Sequence, residues 1–155
     1  MSDQPLDEIR ERLFTVGLIC AQWAYLEYLL AATIWVVLGV SHDAGKIVTG
    51  TLDMKGRTAM ATRLARQLGK PPTLINALAA TQKDTELLQD ERNLIVHGVG
   101  ELRPDGRTYY EVHRGSMRDA PQHISLIRVH SLASAIEKIV GALEAVLLQH
   151  KIIEK

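Results

Sequence analysis

Arg92, Asn93 and His97 are the residues of this chain whose types and spacing suit chemistry. A guanidinium grips phosphate through paired N–H donors and keeps its charge, and an imidazole takes or gives a proton near neutrality. Together they would serve phosphoryl chemistry, with positive charge for the phosphorane and a base or acid for the oxygens around it. Asn93 lies at i, i+4 from His97 and can orient the ring. Stepping by threes and fours along the preceding run gives Leu74, Leu78, Thr81, Thr85, Leu88, Arg92 and Ile95, so Arg92 takes a slot on the stripe that should face a core or an interface. A charge there needs a partner, because one left unpaired and out of water costs several kcal/mol. Glu27, the lone charge between Leu13 and Val40, is the structural partner on offer, and a phosphate is the functional one. His97 falls in the last turn before Gly98, where the negative end of the helix dipole favours imidazolium.

The segment Asp90-Glu91-Arg92-Asn93-Leu94-Ile95-Val96-His97-Gly98 resembles the signature of the HEPN superfamily, in which Arg, usually followed by a polar residue, precedes His by four to six positions. The resemblance covers the helical layout of residues 13–97 and the last helix. It implies an α-helical bundle that commonly dimerises, with the motif near a helix end. Many members are metal-independent endoribonucleases, among them toxins of toxin-antitoxin modules and abortive-infection proteins. Carried over, Arg92 would bind the scissile phosphate and His97 would transfer protons, with no cofactor, and the toxin branch implies a cognate antitoxin. Arg107 with His113 and Arg118 with His123 share the spacing but fall in a predicted hairpin and its connector. The long helix, the adjacent Asn93 and the immediate glycine select Arg92 and His97.

These residues need a frame. A helix is predicted over residues 5–38, where Ser2 or Asp3 can cap, Pro5 suits the first turn and Gly39 follows the last apolar run. Gly45, Gly50 and Gly56 predict a loop holding at most a short helix near residues 44–48. A second helix runs from Met54 or Arg57 to Leu68, before Gly69 and Pro71-Pro72, and a third from Pro72 or Thr73 to His97. The period then changes. Residues 99–102 and 108–113 flank a Pro-Asp-Gly turn and predict a hairpin, residues 124–129 read as a third short strand, and a last helix starts at a Ser131 cap and ends near Ile152. The expected fold is mainly α: one domain over 1–155, an antiparallel helical bundle of about four main helices with a small antiparallel β insertion, roughly 99–130, before the last helix.

Five residues at 100° each place Arg92 and His97 about 140° apart on one helix, which suggests that a twofold pair of chains lines a shared cleft. A homodimer is therefore expected, through the third helix and possibly the first. Two His and two Arg would then supply the base for the 2′-hydroxyl, the acid for the leaving 5′-oxygen and the charge for the phosphorane. No carboxylate cluster or His/Cys spacing reads as a metal site. For holding RNA, Lys55, Arg57, Arg63, Arg66 and Lys70 lie in the most basic stretch, and a solvated face is an equal reading of them. Arg103, Arg107, Arg114 and Arg118 with Tyr109 and Tyr110 offer weaker stacking contacts, cancelled by nearby acids. Trp23, Tyr25, Tyr28 and Trp35 read as core or dimer aromatics rather than a ligand box. His42, His113, His123, His130 and His150 read as surface residues.

Composition narrows the rest. Eighteen basic against eighteen acidic residues produce no global field for polyanions, and an ordinary hydrophobic fraction of 46% excludes wholesale disorder. The single Cys20 and the acidic first dozen residues suggest a cytoplasmic chain with no membrane partner, although residues 13–40 are long enough to cross a bilayer; Glu27 and Gln22 near their middle argue against it. Two functions remain in view, a HEPN-type endoribonuclease cleaving single-stranded RNA and a catalytically silent bundle of the same shape that binds RNA, nucleotide or protein. Toxicity on expression, relieved by changing His97, separates them.

Overall fold

The computed structural model of the chain describes residues 4–103, 107–111, 113–114, 117–118 and 122–154. Among these are five α-helices, α1 (Gln4–Leu38), α2 (His42–Thr49), α3 (Met54–Gln67), α4 (Pro72–His97) and α5 (Leu126–Gln149). Between α4 and α5 come β1 (Val99–Leu102), β2 (Thr108–Glu111), β3 (His113–Arg114), β4 (Met117–Arg118) and β5 (Gln122–His123). The fold is mainly α with a small antiparallel β insertion before the last helix, as the sequence suggests.

Two compact units divide the chain, one of Met1–Ala21 with Leu88–Ile136 and one of Gln22–Leu87 with Glu137–Lys155. The first holds the β segments and the Arg92–His97 motif. Its hairpin pairs Val99 with Glu111 and Leu102 with Thr108, and β5 joins the other edge of β2 through Tyr109 and His123. The Pro104-Asp105-Gly106 turn falls outside the described residues, but Arg103 N–H donates to Arg107 O at 3.0 Å and closes the strand pair beside it. β3 and β4 form a separate two-stranded pair where an irregular connector is expected. Ile19, Ile95, Tyr110, Ile124, Val129 and Ile136 are buried in this unit.

The second unit buries Leu26, Leu29, Leu30 and Ile34 of α1, Leu74 and Leu78 of α4, and Leu143 and Leu147 of α5. Caps explain its helix starts. Ser41 Oγ accepts from Ala44 N–H at α2, which is slightly longer than the short helix expected, and Asp53 Oδ1 accepts from Gly56 N–H at 2.8 Å at α3.

The last helix also departs from expectation. The run 124–129, read as a third strand, is mostly helix, because α5 begins at Leu126 rather than Ser131. Ser125 Oγ accepts from Arg128 N–H at 3.3 Å and supplies the start signal, and the helical spacing of buried residues already runs from Val129. Ser131 instead donates its hydroxyl back to Ile127 O at 2.9 Å, a bond available inside a helix. The outer strand of the sheet is β5, a little earlier in the chain.

Candidate functional site

The stripe along α4 is a core stripe. Leu74, Leu78, Thr81, Thr85 and Ile95 are all buried, and Thr85 satisfies its hydroxyl on Thr81 O at 2.8 Å. Arg92, on the same stripe, is half-buried, Asn93 beside it is half-buried, and His97 in the last turn is exposed. Arg92 is thus a half-buried position between the buried Thr85 and Ile95, and the exposed His97 follows at the helix end.

Arg92 Nη1 donates to Asn93 Oδ1 at 3.1 Å and lies 3.0 Å from His97 Nε2. The 140° separation expected from helical rotation therefore does not keep the two groups apart. Rotation fixes where Cβ atoms point, whereas a guanidinium rides on a stem long enough to wrap round one turn and meet a ring five residues on. Asn93 orients His97 indirectly, by holding the guanidinium that touches it. The contact also fixes chemistry: an arginine N–H only donates, so Nε2 accepts and the neutral ring carries its proton on Nδ1. In that neutral form, the Arg92 guanidinium lies beside the lone pair of Nε2.

The surroundings hold this helix end in place. Glu91 pairs with Arg128 of α5, and Gly98 N–H donates to Leu94 O at 2.9 Å. A Cβ on Gly98 would collide with that same carbonyl and lie 3.4 Å from Tyr110 Cδ1, so the chain can turn from helix to strand here only with a glycine. Tyr110 is itself buried beneath Arg12, whose guanidinium carbon is 5.9 Å from the ring centroid.

Arg12 is the residue that sequence reasoning missed. It is only 5% exposed, donating from Nη1 to Ile124 O at 3.0 Å and from Nη2 to Glu8 at 3.3 Å. One signal was legible, Glu8 at i−4. The long-range carbonyl that justifies burying the charge was not.

Glu27 takes its described ion pair from Arg57, at 3.6 Å, rather than serving as the named partner of the motif. Arg57 also donates to Leu52 O at 2.9 Å and Thr49 O at 3.4 Å, so this member of the proposed RNA-binding set is turned inward. Lys55, Arg63 and Arg66 are exposed on α3, and Lys70 is half-buried just beyond it. In the β insertion, Arg103 lies over the Tyr109 ring at 4.3 Å, and His123 meets that ring at 5.5 Å. Tyr110 is too buried to stack on a base. His42, His123, His130 and His150 each have a protein partner, for example Glu11 for His130 at 3.0 Å. Among the described residues no three His, Cys, Asp or Glu side chains converge as they would around a metal.

Compared with protein-family models, curated proteins and solved structures, the chain matches none.

Proposed function

We propose that the chain is a metal-independent endoribonuclease of the HEPN type, cleaving single-stranded RNA at a composite site built from the α4 ends of two copies. The observation that carries this reading is the 3.0 Å approach of Arg92 to His97 at an exposed helix end. A phosphate arriving there offers the guanidinium a stronger, charge-assisted acceptor than an imidazole nitrogen. Arg92 turns to the phosphate, and Nε2 is released to take the proton of the 2′-hydroxyl. The 2′-oxygen then attacks phosphorus, the P–O5′ bond breaks, and a second proton must reach the departing 5′-oxygen.

One imidazole cannot be base and acid in the same step. His97 of a second copy, as imidazolium, supplies the acid, which is the chemical reason for a homodimer now that the angular one has gone. Leu6, Leu13, Phe14 and Leu18, exposed on the first four turns of α1 within the same unit as the motif, provide apolar surface for such an association. Lys55, Arg63 and Arg66 remain as exposed cations for the RNA backbone. A toxin or phage-defence role, with a cognate antitoxin and a cytoplasmic setting, accompanies this reading through the family resemblance alone.

Product analysis tests it. Single-stranded RNA incubated with the purified chain in EDTA should yield 2′,3′-cyclic phosphate and 5′-hydroxyl ends, and DNA should survive. Cleavage of 2′-deoxy substrates, or products with 5′-phosphate ends, would refute the mechanism. A chain that binds RNA and leaves it intact would be the silent bundle.

A further inference from the structure

The aromatic residues of α1 do not all go to the core. Trp23 is 4% exposed, but Tyr28 is 51% exposed. Within the second unit, Tyr25, Tyr28 and Trp35 join His42, Ile152 and Glu154 around a cavity of about 380 Å³. Tyr25 and Tyr28 are nearly parallel, with centroids 6.3 Å apart and planes at 18°. Trp35 stands at 82° to Tyr28 across 6.4 Å, and His42 at 87° to Trp35 across 5.0 Å. The rings therefore make walls at right angles, which is the shape of a box and unlike a flat sticky patch.

Two walls are fixed before any ligand arrives. The Tyr25 hydroxyl donates to Glu144 Oε1 at 2.7 Å, and that hydrogen bond, with burial and the carboxylate charge behind it, holds the phenol above its ordinary pKa and so neutral. Trp35 Nε1–H donates to Thr49 Oγ1 at 3.1 Å, and the threonine hydroxyl donates in turn to Gly45 O at 2.9 Å. Any side chain at position 45 would run into the indole ring, so the glycine is what lets α2 seat against Trp35. Little ordering cost is left for binding to meet.

The chemistry of the lining selects the ligand. Aromatic faces carry negative potential, Glu154 is an acidic residue of the lining, and neither Lys nor Arg is among the described lining residues. The apolar residues of the lining, Ile152 among them, disfavour a hydrated metal ion, whereas a methylated ammonium spreads its charge over weakly hydrated carbon. We propose that this cavity binds a methylated alkylammonium group, with Tyr25, Tyr28 and Trp35 as the cation–π walls and Glu154 as the counter-charge. Its volume lies in the lower part of the range of roughly 300–1,000 Å³ typical of small-molecule sites. The same headgroup occurs on free choline and on a trimethylated lysine side chain, and the two are separated by experiment.

Titration calorimetry on the full chain is the test, with choline, an N-acetyl-trimethyllysine amide and the uncharged choline isostere 3,3-dimethylbutan-1-ol as probes. Saturable binding of at least one ammonium is expected, and the isostere should bind about tenfold more weakly, the scale of one to two cation–π contacts. Preference between the two ammonium probes identifies the source. Tyr28→Leu and Glu154→Gln should each weaken binding several-fold with an unchanged melting temperature. Trp35→Leu risks the fold through Thr49, so the decision rests on the exposed Tyr28. No saturable binding of either ammonium, equal binding of the isostere, or binding indifferent to Tyr28→Leu would overturn the proposal.

Discussion

The guanidinium of Arg92 settles which nitrogen of His97 is open to a proton. With Nη1 at 3.0 Å from Nε2, the neutral ring must carry its hydrogen on Nδ1, the less common tautomer of a free imidazole. Long-range ¹H–¹⁵N correlation spectra of the neutral ring, recorded at alkaline pH, should show Nε2 unprotonated and Nδ1 protonated, and Arg92→Ala should release that preference. An Nε2–H tautomer in the intact chain would contradict the contact. A second guanidinium works differently. Arg57 answers the Leu52 and Thr49 carbonyls and pairs with Glu27, and its side chain is 18% exposed. Arg57→Met should cost about 2 kcal/mol in urea unfolding, most of it from the orphaned carbonyls, because Glu27 is a third exposed and its pairing is screened. Binding of RNA should change little in that variant, in contrast to Arg63→Ala.

At the scale of elements, the end of α4 matters most. Gly98 is the point at which a helix becomes a strand with its own Leu94 carbonyl against it. Gly98→Ala should destabilise by about 1–3 kcal/mol, the usual cost of forcing extra volume into a packed site, and should impair His97 chemistry by displacing the last turn. Thermal unfolding and RNA cleavage by that variant check both, and an unchanged protein would show that the turn relaxes freely. The same region shows what a sequence makes legible. Periodicity, caps and glycine stops located four helices and the hairpin, since these signals are local. The start of α5 was misplaced because Ile124, Ile127 and Val129 have the β-branched composition of a strand, while Ser125 and the spacing beyond it decided for helix. In the site, the residue types and spacing of Arg92, Asn93 and His97 were readable. Their mutual contact was not, because helical rotation describes Cβ directions and says nothing of the reach of a long side chain. Arg12 was equally hidden, since its partner Ile124 O lies 112 residues away in sequence.

For the whole molecule, the account requires association and catalysis together. Leu13 and Phe14 are 67% and 68% exposed on α1, and Leu6 and Leu18 are exposed on neighbouring turns, apolar surface that a second copy would cover. Sedimentation equilibrium at concentrations on the order of tens of micromolar should find a dimer, as expected for an interface of standard size, and Leu13→Glu with Phe14→Glu should return it to monomer. A strict monomer that cleaves RNA would remove the second His97 from the mechanism. The most direct measurement is the rate at which the purified chain and its His97→Ala variant, each confirmed folded by circular dichroism, cut the same single-stranded RNA in EDTA. The intact chain should cut, and the variant should be slower by about 10²–10⁴, the span of a lost general acid or base. Equal rates, or cutting that needs an added metal, would contradict the assignment of His97 as the proton-transfer group.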